Sequence, residues 1–281
     1  MTVVLPRSLD EALAALAAEP DAHVLAGGTD FMVEVNFGHR RPPAVVALQH
    51  VAELRHWRRD GDHITLGAGV TYTDLQSAEL AAVLPALAHA ARGVGSPQIR
   101  NAGTVGGNLG TASPAGDTLP VLAALDAVVL LASADEGTRE VPFPEFVVGP
   151  KRTTRRPGEL IVGVRVPVLR GGQEYVKVGT RNAMVISVAA VALVVDLDGR
   201  TVRCGLGSVG PTPLRAPDAE AWVAQHVDWD AGRVPDPRTY ETFGAMVAEA
   251  SRPIDDHRST ADYRRHAIGV CARRTLMRVL P

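Results

Sequence analysis

The sequence predicts an α+β protein of two domains divided near residue 170. Three observations carry this. The chain has 281 residues, more than one hydrophobic core usually organises. Short β-branched strands alternate with capped helices up to about residue 170. Beyond Arg170-Gly171-Gly172 comes a run of strands and then a run of helices, the order of a separate α+β unit. Apolar residues at 46% and charged residues at 21% fit a globular chain and not a disordered one.

Residues 1–55 read as a small βαβ-type subdomain. Val3–Leu5 is a strand, and Ser8-Leu-Asp-Glu11 is a capping box opening a helix with Leu9, Leu13 and Leu16 on one face. His23–Leu25 is a strand that runs into Gly27-Gly28. Thr29 or Asp30 then caps a short helix through Phe31, Met32 and Val35. Ala44–Leu48 is the third strand. In the second subdomain, 56–170, Ile64–Ala68 is a strand and Thr73-Asp-Leu-Gln76 repeats the capping-box pattern. The helix Leu84–Arg92 ends at Gly93. Ser96-Pro97 and Ser113-Pro114 each place Pro just inside a cap, the second opening a helix to about Asp126. Ala127–Ala132 and Leu160–Val166 are strands. In 171–281, Tyr175–Gly179, Val185–Asp196 and Thr201–Ser208 make a three-stranded sheet, with a hairpin turn at Asp198-Gly199. Helices follow near 216–226, 239–250 and 259–279.

Several function classes are excluded. The net charge of -2 does not suit nucleic acid or an anionic membrane surface. Cys204 and Cys271 are the only cysteines, and an iron–sulfur cluster needs about four thiolates. They also make no disulfide framework, which points to a reducing compartment. No apolar run reaches the length of a membrane span and no signal sequence opens the chain, so the expected location is the cytoplasm. The nine histidines form no ligand pattern, so no metal is expected. Ser96, Ser113 and Ser208 lack a nucleophile-elbow context. Gly205-Leu-Gly-Ser-Val-Gly210 follows a strand, but Pro211 and Pro213 stand where a dinucleotide fold requires a helix. Lys151-Arg152-Thr-Thr-Arg155-Arg156 reads as a solvated loop, or else as a docking surface for a partner or an anionic acceptor.

Chemistry concentrates in two glycine-rich segments, Ala26-Gly27-Gly28-Thr29-Asp30 and, about 75 positions later, Thr104-Val105-Gly106-Gly107-Asn108. Each reads as a tight turn at a strand end. Without a Cβ, main-chain N–H groups can close on an anion. One such contact contributes roughly 0.3–1 kcal/mol when exposed, so one loop holds a phosphate weakly and two converging loops hold a diphosphate. The hydroxyls of Thr29, Thr104 and Thr111 and the Asn108 amide complete the shell. Taken singly, either segment is also a plain turn.

The segments resemble those of one family. Leu25-Ala-Gly-Gly-Thr-Asp30, then Gly103-Thr-Val-Gly-Gly-Asn-Leu-Gly-Thr-Ala-Ser-Pro-Ala-Gly-Asp117 with Leu119-Pro120, then Pro253-Ile-Asp-Asp-His-Arg258 with Tyr263-Arg264-Arg265 are similar to the medium, FAD-binding subunit of molybdenum hydroxylases of the xanthine dehydrogenase and carbon monoxide dehydrogenase type. Glu159-Leu-Ile-Val162 and Tyr175-Val-Lys177 extend the likeness across the chain. The resemblance implies a two-subdomain FAD-binding fold of the vanillyl-alcohol oxidase type followed by a C-terminal α+β domain. It implies that Leu25, Ala26, Gly27, Gly28, Thr29 and Asp30 form the first diphosphate loop, with Phe31 an apolar neighbour of the flavin. Thr104, Gly107 and Asn108 match the second loop, and Gly110 and Thr111 line the flavin and its ribityl chain. Asp117 binds the adenosine portion, Ile161 or Val162 touches the flavin, and Lys177 reaches it. A cation there would favour the anionic reduced flavin; an exposed strand lysine is the plainer reading. For Asp117, the plainer reading is a helix-start acid.

The function implied is electron transfer. A large molybdopterin subunit hydroxylates a substrate, a small subunit with two 2Fe–2S clusters relays electrons, and FAD on this chain passes them to an acceptor such as NAD. The assembly is a dimer of heterotrimers. The Thr111–Asp117 motif leans to the xanthine dehydrogenase type, with the carbon monoxide dehydrogenase type second. No acid, base or nucleophile on this chain is required. Two alternatives remain: a self-sufficient FAD oxidoreductase of the same fold, or a flavin-free assembly module. The chain departs from the family at Arg181-Asn-Ala-Met-Val185, where an acidic residue is common. That leaves a quinone, a ferredoxin-like carrier or oxygen open as acceptor.

Overall fold

The computed structural model describes residues 2–281. Near the start, Ser8 Oγ accepts from Glu11 N at 3.1 Å, and Glu11 reaches back to Arg7 N at 2.8 Å. The helix Leu9–Ala18 buries Ala12, Leu13 and Leu16. It packs on a parallel sheet in which Ala44–Ala47 lies between Thr2–Val4 and His23–Leu25. All four residues of the central strand are buried.

The second sheet is antiparallel, in the order Trp57–Asp60, His63–Gly67, Leu160–Pro167, Val128–Ser133, Gly137–Pro142. Its first and last strands carry Arg58, Arg59, Arg139 and Glu140, and such polar edges hide them from a hydrophobic-periodicity reading. A two-stranded ribbon, Val147–Gly149 with Arg152–Thr153, turns the basic run back on itself. The third sheet runs Gln173–Val178, Ala189–Asp196, Thr201–Gly207, Leu214–Arg215. It has four strands, not the expected three. The extra one is two residues long and follows Pro211 and Pro213, which mask it in the sequence.

Four further expectations are corrected. Ser113-Pro114 opens a turn and not a helix: Ser113 Oγ accepts from Ala115 N, and the helix spans only Leu119–Ala124. The cause is Ala112, whose left-handed φ of 45° ends the preceding helix and turns the chain. The second glycine segment is that preceding helix, Val105–Thr111, capped by Thr104; it is no turn at a strand end. The strand expected from Val185 begins only at Ala189. Thr73 caps nothing and donates to Asn101 Oδ1 instead.

The strand Ala189–Asp196 joins the two halves. Side chains alternate across a strand. Ala190, Ala192 and Val194 enter the core built on the five-stranded sheet. Ala189, Val191, Leu193 and Val195 enter the core beneath the helices Pro217–Ala224, Arg238–Ala250 and Ala261–Val279. The glycines at 205 and 207 admit the helix Leu119–Ala124 from the other side. A Cβ on Gly205 would lie 1.9 Å from the Pro120 carbonyl oxygen.

Candidate functional site

The parallel sheet and the five-stranded sheet face each other across a cavity of about 680 Å³. That is the size of a cofactor site. The strand His23–Leu25 delivers the first glycine loop to it, and the helix Val105–Thr111 delivers the second. The two segments touch. A Cβ on Gly27 would stand 1.7 Å from the Ala102 carbonyl oxygen, just before the second segment. Gly106 is equally committed, 2.5 Å from the Ala68 Cβ. These two glycines bring backbones together. Gly107 and Gly110 are different: their nearest neighbours are Thr104 Oγ1 at 3.0 Å and Ile161 Cδ1 at 3.6 Å.

The loops also differ in what they leave unspent. Among the described residues, no hydrogen bond within the chain uses the N–H of Gly27, Gly28 or Thr29. By contrast, Val105 N donates to the Val70 carbonyl, Gly106 N to Ala68, Asn108 N to Thr104, and Gly107 N to Thr104 Oγ1. The second segment therefore faces the cavity with side chains, not with free main-chain donors. The Thr104 hydroxyl hydrogen and the Asn108 amide nitrogen are its polar offers. Thr111 Oγ1 donates to Asp30 Oδ2 at 3.4 Å across the two loops.

Of the residues singled out from sequence, Ala26 to Phe31, Thr104, Gly107, Asn108, Gly110, Thr111, Asp117 and Ile161 all line the cavity. Leu25, Val162 and Lys177 do not. Leu25 lies on the strand behind the loop, and Val162 packs with the first subdomain's core. Lys177 sits behind the wall, its ammonium bonded to Asp117 Oδ2 at 2.7 Å and to the Gly93 and Val185 carbonyls. Asp117 is buried, and its other oxygen accepts from Tyr175 Oη at 2.9 Å. Burial raises the Asp117 carboxyl above its usual range, against the opposing pull of Lys177 and Tyr175. Two bonds, one from the Lys177 ammonium and one from the Tyr175 hydroxyl, make Asp117 a fixed acceptor, not a mobile acid.

Sequence reasoning missed one end of the cavity. Arg40 lies 5.4 Å over the Phe31 ring, ion-pairs with Glu34 at 2.7 Å and donates to His23 Nδ1 at 3.3 Å. Since guanidinium only donates, that nitrogen accepts. Burial, then Arg40 and Arg155, push the imidazole below its usual range. Lys151 also meets Glu34, at 2.6 Å, and holds that carboxyl low. Lys151 and Arg155 line the cavity, so the basic run is no purely solvated loop. Nothing in the sequence signals Arg40, which no motif includes. Val185 and Ile186 form part of another wall, with Arg258 nearby.

Cationic groups on the lining, Arg40, Arg55, Lys151, Arg155 and Arg258, outnumber the acidic Asp30, Glu34 and Asp117. This surplus and the unspent N–H groups suit a dianionic diphosphate. A family model described as the FAD binding domain in molybdopterin dehydrogenase matches residues 1–169. The chain belongs to that family. A model of the CO dehydrogenase flavoprotein C-terminal domain matches 174–279. The chain is 31% identical to the glyceraldehyde dehydrogenase medium chain of Sulfolobus acidocaldarius, over 95% of its own length and 94% of the relative's. It is 30% identical to the carbon monoxide dehydrogenase medium chain of Hydrogenophaga pseudoflava, over 96% and 94%. Quinoline 2-oxidoreductase of Pseudomonas putida 86 superimposes with a TM-score of 0.91 at 25% identity, over 99% of this chain and 96% of that one. This molybdenum hydroxylase flavin subunit thus has a cavity fitted to FAD. No group of metal-ligating side chains occurs among the described residues, and no helix there is long and apolar enough to cross a membrane.

Proposed function

We propose that this chain is the electron-transfer subunit of a heterotrimeric molybdenum hydroxylase, paired into a dimer of heterotrimers. Residues 1–170 bind FAD between the subdomains 1–55 and 56–170, and 171–281 close the site from behind. When bound, FAD supplies a two-electron store that one-electron clusters of a small 2Fe–2S subunit can fill. The chain's own part is to hold and tune. Gly27, Gly28 and Thr29 offer N–H groups to the diphosphate, and Thr104, Asn108 and Thr111 offer side chains. Asp117 serves the adenosine portion, and Phe31 and Ile161 give apolar contact to the flavin.

The observation that carries this reading is the convergence of both glycine segments on one cavity. A tag on this chain tests it. The expected complex contains one large subunit with molybdopterin, one small subunit with two clusters, and FAD that bleaches on adding the hydroxylation substrate. FAD that bleaches with no partner present would instead support a self-sufficient oxidoreductase. The Thr111–Asp117 motif leans to xanthine-type chemistry at the partner's molybdenum, where a panel of purines, aldehydes and CO decides.

For the acceptor, NAD is the first reading and a cytoplasmic enzyme follows from it. NADH in excess should then bleach the FAD of the purified complex. A flavin that stays yellow rejects NAD. One observation favours a second reading: Ile186 is an exposed apolar residue of the cavity wall and Met184, two positions before it, is exposed as well, so an apolar quinone would find contact there. Faster reoxidation by a quinone than by NAD would decide for it.

A further inference from the structure

Two cations of the C-terminal half are bonded alike, and both hold the same short segment. Lys177 Nζ donates to Asp117 Oδ2 at 2.7 Å, to the Gly93 carbonyl at 2.8 Å and to the Val185 carbonyl at 3.2 Å. Arg264 donates to Asp256 Oδ1 at 2.6 Å, to the Val188 carbonyl at 2.8 Å and to the Ser208 carbonyl at 3.0 Å. Each has one carboxylate and two main-chain carbonyls. An ammonium has three N–H bonds, so Lys177 has none left over. Each carboxylate is itself held. Asp117 accepts from the buried Tyr175 hydroxyl, and Asp256 accepts from Arg258 N and Ser259 N. Ser208 N donates to the Pro114 carbonyl, so the second arrangement also reaches the turn that carries Asp117. Between the two held carbonyls, Val185 and Ile186 line the cavity and Ser187 is buried.

We propose that Lys177 and Arg264 are paired clamps that fix Val185–Val188 as one wall of the cavity, with two positioning residues: Tyr175, which holds the carboxylate of the Lys177 clamp, and Asp256, which is the carboxylate of the Arg264 clamp. This gives the Pro253–Arg258 and Tyr263–Arg265 motifs a task that their resemblance leaves open. It also has Lys177 act on the cofactor through the Val185 main chain and not by contact. The inference rests on FAD occupying this cavity.

A thiol placed inside the segment tests it. Ser187 Oγ is buried and has no partner, so Ser187→Cys loses no hydrogen bond. The native Cys204 and Cys271 are buried and report global opening. In the FAD-loaded chain, adding Tyr175→Phe or Asp256→Asn should speed alkylation of the introduced thiol on the order of tenfold, the effect of one lost charge-assisted bond. Cys204 and Cys271 should react as before. Both variants should also weaken FAD binding and change the flavin's visible circular dichroism. Tyr175→Phe removes a single oxygen and is the milder change should Asp256→Asn fold poorly. Unchanged alkylation overturns the proposal, and so does faster alkylation of all three thiols together. A circular dichroism change in Tyr175→Phe without faster alkylation overturns it too, because Lys177 would then act on the flavin directly. An unsubstituted chain that takes up no FAD would overturn the occupancy reading first.

Discussion

Glycines that look alike in the sequence make room for different things. Gly27 makes room for the Ala102 carbonyl, and Gly107 makes room for the cavity. Gly27→Ala must push the two loops apart, because its nearest obstacle is rigid backbone. The expected result is a folded chain whose FAD dissociation constant rises by about two orders of magnitude, roughly 2.7 kcal/mol, read by fluorescence titration. Gly107→Ala meets only the end of the Thr104 side chain. Its expected loss is about tenfold or less, about 1.4 kcal/mol. Equal losses in the two variants would contradict this division. Both glycines were legible as members of the glycine-rich segments, which are a local signal, and both line the cavity. Their different tasks were not, because Ala102 and Ala68 reach them only through the tertiary fold. Arg40 was illegible for the same reason: it acquires meaning from Phe31 and His23, and no spacing encodes that meeting.

At the level of elements, some caps form as their local signal predicts, while Asp30 and Thr73 make no side-chain cap bond. Ser8 and Ser96 both accept the expected N–H. Ser113-Pro114 carries the same local signal and fails, because the left-handed Ala112 turns the chain first. Thr104 lay inside a segment taken for a turn, yet it caps a helix. Thr104→Ala should cost about 0.5–2 kcal/mol, seen as a lower melting temperature of the apo chain, and should weaken FAD binding as well. A stability loss with unchanged FAD affinity would leave Thr104 as a cap alone. The dinucleotide-like Gly205–Gly210 was rightly set aside, and packing explains its glycines. Gly205→Ala drives a methyl into the Pro120 carbonyl. Overpacking of about 1–3 kcal/mol is expected, measured by urea denaturation, with FAD affinity in the folded fraction unchanged.

For the whole molecule, two carboxylates set opposite pH trends, the buried Asp117 and the half-buried Asp256. Burial alone would raise the Asp256 carboxyl, but the bonds from Arg258 N and the Arg264 guanidinium outweigh it and hold it low. A depressed folded pKa gives stability that is present above the unfolded value of about 3.9 and lost as pH falls below it. Asp117 is raised, so its contribution is present at low pH and lost as pH rises from about 3.9 towards its folded value. Asp256→Asn should therefore flatten the acid limb of the stability curve, and Asp117→Asn should steepen the rise above it. Urea midpoints across the acid range check both. Parallel curves for the two variants would contradict the assignment. The fold class and the change of pattern near residue 170 were legible because periodicity and turn signals are local. The sharing of a strand was not, although the unbroken apolar run at 188–195 marked it as buried on both faces.

That shared strand limits how the chain can be divided. With one face of Ala189–Asp196 in each core, a chain stopped near residue 170 keeps both glycine loops but shows water an apolar floor. The complementary piece carries the strand with its other side bare. Neither half is expected to survive alone in solution, while the two made together should find each other and recover yellow colour. Heating should then melt the intact chain in one step. In this subunit a sequence boundary is a place where the pattern changes, not a place where the molecule comes apart.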